Sequence, residues 1–405
     1  MILAGAWVVP GAGPPIRDGY VEFSGARIRA IGARSELNPR ALDADRFLSF
    51  DDGVIVPGLV NPHTHLELGC YAGRIPPADF WTWISRLVAL RREPGQLQRE
   101  EQSAEEYAWK SLRAGITCVG DISRRNVAWR GLRRVPIRKV CFAELLTIAD
   151  DPPRTIPELH AALDEISADD LLHPGVSPHA TWSIPASEIR ACLELARERA
   201  VPWTIHLAET REETDLLCGR PAAIPTGLRA ALDAGGVRAV GSPPLEYWQS
   251  LRPAGLHGGA LAHVNYLDDV TLDRLALTGD VVVYCPRAHE FFGHNRHPVK
   301  ELRRAGVQVA IGTDSPASNT GVGLLEELTC ARRRGADVPP HDLFTMITTI
   351  AARALDLERK IGSLEPGKLA DISVFPGGSD ADPIVSLIDK SPAPLGVWVH
   401  GQRVV

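Results

Sequence analysis

Residues 54–67 read Val-Ile-Val-Pro-Gly-Leu-Val-Asn-Pro-His-Thr-His-Leu-Glu, a short β-branched apolar run that ends in two histidines one residue apart. Side chains on a strand alternate between faces, so His63 and His65 point the same way. Two imidazoles on one face at the end of a buried strand form half of a metal site. The plainer account is a pair of polar residues in a loop after a core strand. The remaining chain has to supply further ligands if the metal account is right.

With 405 residues the chain can bury a large core, and one α/β barrel with a small extra module fits that length as well as two or three domains do. A formal net charge of -6 argues against nucleic acid or an anionic membrane surface as the main partner. The 7 cysteines are scattered with no CxxC pair, which suits reduced thiols in a reducing compartment. The apolar start lacks a basic segment and is cut by Gly5 and Pro10, so it reads as a strand and not as a signal peptide. No apolar run approaches the length of a membrane span, and the expected location is cytoplasmic.

Short β-like runs at 2–9, 19–23 and 27–31 recur in texture at 372–375 and 396–405. Each end is too small to stand alone. The two are expected to pair as one discontinuous β-sandwich made of residues 1–53 and 358–405. In the middle, residues 54–357, apolar strands recur at 54–65, 115–122, 139–145, 175–181, 203–209, 259–267, 281–286 and 307–314. Helical stretches lie between most of them, at 100–114, 185–200, 269–277 and 298–305, and three of these stop at Gly115, Gly279 and Gly306. Eight strands alternating with helices predict an α/β fold, a closed (β/α)8 TIM barrel. An open doubly wound sheet is the alternative, but no GxGxxG follows a strand. Residues 219–258, rich in Gly and Pro, read as a loop insertion over the top of the barrel.

Catalytic side chains of such a barrel come from the C-terminal ends of its strands. Those ends offer His63 and His65, then His179, then His206 and Glu209, then His263, and finally Asp314. A lone strand histidine is more often a core residue than a ligand. Five at one end of one barrel make a metal site.

These same residues carry a resemblance. The segment 57–65, the His206-Leu-Ala-Glu209 step, His263 and Gly312-Thr313-Asp314 resemble the amidohydrolase superfamily, and Ile361-Gly-Ser-Leu-Glu-Pro-Gly-Lys-Leu-Ala-Asp371 resembles the segment by which that family re-enters its β-sandwich. By resemblance the metal ligands are His63, His65, His206 and Asp314. Two-metal members of the family bridge their ions with a carboxylated lysine on strand four. Strand four here offers His179 and no lysine, and Lys139 sits at the start of strand three, so the resemblance implies the one-metal aminohydrolase type. Zn2+ suits three imidazoles, a carboxylate and an open position, and Fe2+ fits the same set. The metal would lower the pKa of its bound water to supply hydroxide. Glu209 would accept a proton and pass it on, while His263 and Asp314 orient the attack, which makes Asp314 both ligand and proton acceptor. A catalytically silent scaffold is the alternative from another class, but such relatives lose ligands that this chain keeps.

Within the superfamily the chain is similar to the branch of triazine hydrolases, adenosylhomocysteine deaminases and aminofutalosine deaminases. His63-Thr-His-Leu-Glu-Leu68 resembles the HxHLEF motif of the last, with Leu68 where Phe is common; Phe80-Trp-Thr-Trp-Ile84 resembles its aromatic helix, and 285–294 its loop after strand seven. The resemblance implies a metal-dependent deaminase of a 6-aminopurine nucleoside-like compound, with aminodeoxyfutalosine first. Adenosylhomocysteine or methylthioadenosine comes next, then triazines or guanine. Glu67 is expected on ribose hydroxyls and His179 on the base. Arg287, His289 and His294 could meet a substrate carboxylate or form a surface basic cluster. Trp83 is expected in the substrate site, although Trp81 and Trp83 at helical spacing also suit packing of the helix on the barrel. The partner expected is a small molecule, and the resemblance leaves room for a homodimer through helices beside the barrel.

Overall fold

A computed structural model of the chain describes residues 1–37, 46–146, 154–166, 168–267 and 272–405. Four strands come first: β1 (Ile2–Val8), β2 (Ile16–Ser24), β3 (Arg27–Ala33) and β4 (Phe47–Pro57). Four more follow as β5 (Leu59–Thr64), β6 (Ile116–Ser123), β7 (Arg138–Leu145) and β8 (Leu172–Pro178). Then come β9 (Thr204–Leu207), β10 (Ala260–His263), β11 (Val281–Tyr284) and β12 (Gln308–Ile311). The chain ends with β13 (Ile372–Pro376), β14 (Gly396–Val399) and β15 (Gln402–Arg403).

The two chain ends meet in one mixed sheet of order β15-β14-β13-β4-β1-β2-β3. The long β4 joins them, lying parallel to β1 and antiparallel to β13, with Phe375 opposite Val54 and Ile372 opposite Pro57. Residues 54–57 therefore belong to this sheet and not to the barrel strand expected over 54–65. The hinge is Gly58. A Cβ there would lie 2.1 Å from Oγ1 of Thr117, so the chain can step from one sheet to the next only with glycine at this point.

The eight central strands form two parallel sheets, β5-β6-β7-β8 and β12-β11-β10-β9. Isolated parallel bridges join their edges on both sides: Val176 to Trp203 and Ala180 to His206 on one, Thr64 to Asp314 on the other. The expected closed barrel is thus, by hydrogen bonding, two sheets with two seams. Each seam has a proline where the ladder needs an N–H: Pro178 and Pro202 beside β8 and β9, and Pro62 within β5. Side chains close the second seam instead. The Asn61 amide donates to Thr313 Oγ1 at 2.8 Å and its oxygen accepts from the Thr313 N–H at 3.2 Å. Thr64 Oγ1 donates to the Asp314 carbonyl at 3.0 Å.

Helices cover these strands. Gln96–Arg113 ends before Gly115, which adopts φ 81°, and Ala186–Arg199 and Val299–Arg304 fall where the periodicity predicts them. The helix expected over 269–277 is seen as Leu272–Thr278, and its expected start at Asp269 lies outside the described residues. The stretch 219–258 differs from the loop expected. It carries two helices, Thr226–Ala234 and Pro244–Leu251, because Leu232 and Trp248 find apolar cover. The Trp248 ring packs 5.2 Å from that of Trp203.

One buried ion pair ties the end sheet to the start of β7. Arg138, at the start of β7, makes a two-pronged contact with Asp371, Nε to Oδ2 at 2.7 Å and Nη2 to Oδ1 at 3.1 Å. Both side chains are sealed from solvent, so removing one partner strands the other's charge. Arg138→Leu is expected to destabilise the protein by about 3–5 kcal/mol, read as a fall in calorimetric Tm. The pair sits at the strand starts, far from the histidines at the strand ends. Folded Arg138→Leu protein should therefore keep its kcat, and an unchanged Tm would refute the assignment.

Candidate active site

The strand-end residues converge. His63 comes from β5 and His65 from just beyond it, His206 from β9, His263 from β10 and Asp314 from just beyond β12. Ring nitrogens of His63, His65 and His206 lie within 4.8 Å of one another, as do the donor atoms of His63, His263 and Asp314. His65 Nε2 is 3.2 Å from His206 Nε2. Asp314 Oδ1 is 3.6 Å from His63 Nε2 and 3.8 Å from His65 Nε2.

These contacts fit a divalent metal on grounds of hydrogen-bond accounting. His206 Nδ1 lies 2.7 Å from the His179 carbonyl and must donate to it, so its Nε2 carries a lone pair. That lone pair faces His65 Nε2. Among the described residues, neither ring nitrogen of His63 has a hydrogen-bond partner, nor has Nε2 of His263. Buried polar atoms without partners are costly. Ligands at the usual Zn–N distance of about 2.0–2.1 Å in a tetrahedron are separated by roughly 3.3 Å, close to the spacing seen. Burial also keeps the imidazoles neutral: it holds His65 and His263 well below the usual histidine range, helped by the neighbouring rings, and His206 at about 4. Neutral rings are what a metal requires. Lys139 plays no part here; its Nζ donates to the carbonyls of Leu132 and Val135 at the foot of β7.

The backbone around the site is strained. Ala208, His263, Val264 and Asp314 all have positive φ, between 48° and 75°. Such residues persist only where the surroundings over-determine them. Here those surroundings include the Asn265 amide, which donates to the Glu209 carbonyl at 2.9 Å. Glu209 projects toward His263, Oε1 to Nε2 at 3.6 Å. Its carboxyl is pushed well above the usual range, first by burial and then by the charges of Asp314 and Glu213. Glu213 lies beneath it, accepting from the Glu209 N–H at 2.8 Å and from Thr181 Oγ1 at 2.6 Å, and burial raises its own pKa to about 7.

A cavity opens onto this cluster. Its metal end is lined by His65, His206, His263, Glu209 and Asp314, with His179 beside them. The remaining wall is mostly apolar, built from Leu68, Phe80, Trp83, Ile84, Trp182 and Phe292. His179 Nδ1 is fixed by Ser183 Oγ at 2.6 Å.

Other expected contacts are not brought to this cavity. Glu67 is buried behind the wall, where its carboxylate takes Arg91 Nη2 and, at 2.6 Å, the Ser123 hydroxyl. Arg287 is spent on Glu327, Nε to Oε1 at 2.7 Å, and on the Gly323 carbonyl. His289 is buried among Tyr284, His294 and His297, and His294 pairs with the Tyr266 hydroxyl at 3.1 Å. Of that loop, Phe292 faces the cavity. Trp81 packs against Trp182 with ring centres 4.7 Å apart, outside the lining. Besides Ser315, next to Asp314, two polar residues of the lining escaped the sequence reading, Arg91 and Glu144. Both signals were available. Glu144 ends β7, and Arg91 follows Trp83 and Leu87 at helical spacing on the helix Phe80–Arg91.

Parallel strands that deliver clustered, neutral histidines and two carboxyls to the mouth of one cavity define a metal-assisted hydrolase. The profile of the amidohydrolase family matches residues 54–404, and the chain belongs to that family. It is an enzyme acting on carbon–nitrogen bonds other than peptide bonds. A 5-methylthioadenosine/S-adenosylhomocysteine deaminase of Moorella thermoacetica is 28% identical over 385 residues, covering 90% of this chain and 83% of that protein. Helicobacter pylori aminofutalosine deaminase, solved with methylthio-coformycin, superposes with a TM-score of 0.87 at 19% identity over 100% of both chains. An adenosine deaminase of Xanthomonas campestris with bound zinc gives 0.85 at 22% identity, over 99% of this chain and 92% of that one. Among the described residues, no helix is long and apolar enough to cross a membrane.

The histidines behind the cavity make acid stability testable. Burial holds His294 and His297 at about 4 and His289 at about 2, below the usual 6.5. The unfolded chain therefore takes up protons before the folded one does. Their stabilising contribution is complete above pH 6.5 and is lost as pH falls through about 4 and then about 2. Tm should fall on acidification from pH 7 to pH 4, and His294→Gln should make that fall shallower. Equal slopes in both proteins would refute the contribution of His294.

Proposed function

We propose that the enzyme is a hydrolytic deaminase of 6-aminopurine nucleoside-like substrates, working with one divalent metal held by His63, His65, His206 and Asp314. The observation that carries this reading is Glu209 set 3.6 Å from His263 at the mouth of the His63, His65, His206 and Asp314 cluster. When bound, the metal supplies Lewis-acid activation of water and neutralises developing charge. Zn2+ is the preferred ion on this donor set, and the zinc in the Xanthomonas structure supports the choice. We read the eight parallel strands as the (β/α)8 barrel of the family, and the two bridged seams support that.

The remaining chemistry belongs to the protein's own groups. Glu209 Oε1 takes a proton from the attacking water and delivers it to a ring nitrogen. The raised affinity of this carboxyl for protons suits a group that must hold one during the reaction. His263 Nε2 faces both that carboxyl and the cluster, and so donates to the oxygen that becomes negative as it adds to the ring carbon. Asp314 takes the second proton that ammonia needs in order to leave. The Ser318 hydroxyl, donating to Asp314 Oδ2 at 3.2 Å, keeps that carboxylate in place. His179, held by Ser183, faces the base. Trp83 and Trp182 supply flat apolar surface, and their layer excludes water.

Two features bear on the substrate. The deaminase name of the Moorella relative supports an adenosine-like nucleoside. The apolar wall supports an apolar or aromatic group on the 5′ carbon over a zwitterionic one. Aminodeoxyfutalosine is therefore first in line, with methylthioadenosine second because of the relative's name and ahead of adenosylhomocysteine.

The test is ammonia release from a panel of these nucleosides, with a triazine and guanine as counter-substrates. Release from no adenine nucleoside would overturn the proposal. Glu209→Gln should retain the metal and lose about 10²–10⁴-fold in kcat. Near-normal kcat in that variant would remove Glu209 from the chemistry.

A further inference from the structure

The cavity wall is mostly apolar; Glu144 lies within 4.8 Å of ring nitrogens of His179 and His206, and Arg91 stands among apolar residues of its own helix. Arg91 is the last residue of the helix Phe80–Arg91 and lines the cavity on the same helical face as Trp83 and Leu87. Its guanidinium is unusually well fixed for so long a side chain. Nη2 is taken by Glu67, and Nε donates to Glu100 Oε1 at 3.0 Å. Both carboxylates are themselves clamped. Ser123 Oγ donates to Glu67 Oε2 at 2.6 Å, while Tyr71 donates to Glu100 at 2.8 Å and Arg124 at 3.2 Å. The set of Glu67, Glu100, Arg91 and Arg124 balances in charge, which makes its burial tolerable. The side-chain hydrogen bonds of Arg91 run from Nε and Nη2, Nη1 makes none among the described residues, and Arg91 lines the cavity, with Glu144 as a further nearby charge.

We propose that Arg91 is a specificity-determining residue, donating from Nη1 to an acceptor oxygen on the part of the substrate remote from the reacting ring, and that Glu67 positions it. The acceptor is a sugar hydroxyl or a carboxylate on the 5′ extension. Glu67 does not touch substrate; it acts through the guanidinium that stands between it and the cavity. Because the buried carboxylates already hold the planar fork, binding loses little side-chain freedom, and a single donated bond can discriminate strongly. A bare heterocycle has no oxygen to offer there, so the contact selects nucleosides over free bases and triazines. The inference rests on the deaminase reading above.

The test uses the metal-loaded full-length enzyme and three variants, Arg91→Met, Arg91→Lys and Glu67→Gln. Metal content and Tm report folding, and calorimetric titration with the deaminated product reports binding apart from turnover. Arg91→Met should raise KM by about ten- to hundredfold with kcat changed by less than about threefold. Arg91→Lys, which keeps charge and loses the fork, should fall between. Glu67→Gln should raise KM by a few fold through a looser Arg91. Each enzyme is then assayed on nucleosides lacking the 2′ and 3′ hydroxyls and on nucleosides lacking a terminal carboxylate. The KM effect of Arg91→Met should shrink to below about twofold on whichever analogue has lost the contacted oxygen. That arm identifies the acceptor. A penalty of equal size on every analogue, or an unchanged KM, overturns the assignment. If Arg91→Met does not fold, the same comparison with Arg91→Lys and Glu67→Gln decides it. Absence of turnover on any nucleoside by the unmodified enzyme would instead overturn the functional reading.

Discussion

The two ring nitrogens of His63 are buried with nothing in hydrogen-bonding reach among the described residues, and most of the site follows from that demand. A buried imidazole without a partner is expensive in an apolar interior. Here His63 shares a volume a few ångströms across with the rings of His65, His206 and His263 and the Asp314 carboxylate. The fold places them there through β5 and its seam with β12. Pro62 breaks the ladder and Asn61 replaces it with side-chain bonds to Thr313, so that Asp314 arrives beside His63 with its backbone N–H on the His63 carbonyl at 3.1 Å. β5 and the residue after it thus bring two histidines to the cluster, and the seam fixes the residue that brings its carboxylate. Removing the seam would separate donors that no single strand could hold together.

Residues whose roles depend on period and position were legible in the chain. The one-residue spacing of His63 and His65 decides their common face, and the strand-end rule found His179, His206, Glu209, His263 and Asp314 without any contact information. The cavity lining includes Trp83 and His179 along with residues of that cluster. Roles that depend on what a side chain meets across the fold were not legible. Glu67 follows the metal motif by two residues and so reads as facing the site, but the turn Leu66–Tyr71 carries it toward Ser123 and Arg91 instead. Arg287 and His294 sit on the expected loop and are drawn away by Glu327 and Tyr266, partners no local pattern announces. The split of residues 54–65 at Gly58 was hidden for a related reason. Both halves are apolar and β-branched, and only the approach of Thr117 forces the break.

The strained residues show where the fold yields to the site. Ala208, His263, Val264 and Asp314 lie at three strand ends around one cluster, and none is glycine. A chain free to choose would put glycine or extended backbone at such points. His263 and Asp314 cannot be glycine, because their side chains are the ones presented. Ala208 and Val264 hold the turns that aim Glu209 and His263. The strain of about 1–3 kcal/mol at each is offset by the strongly apolar strands beneath, whose residues Ile205, Leu261, Val282 and Ile311 are essentially sealed from solvent.

Two buried glutamates illustrate how surroundings divide one functional group into two roles. Burial raises the proton affinity of both Glu67 and Glu209. Glu67 meets Arg91 and the Ser123 hydroxyl, which work against that rise and tie its carboxyl into the wall. Glu209 meets no arginine or lysine among the described residues. Its neighbours are His263, kept neutral by burial, and the acids Asp314 and Glu213, which make ionisation harder still. A carboxyl so placed exchanges a proton readily with whatever enters the cavity, whereas one tied to a guanidinium does not. The fold therefore separates the acid proposed to move protons from the acid that holds the wall, and it does so with the single choice of which one an arginine can reach.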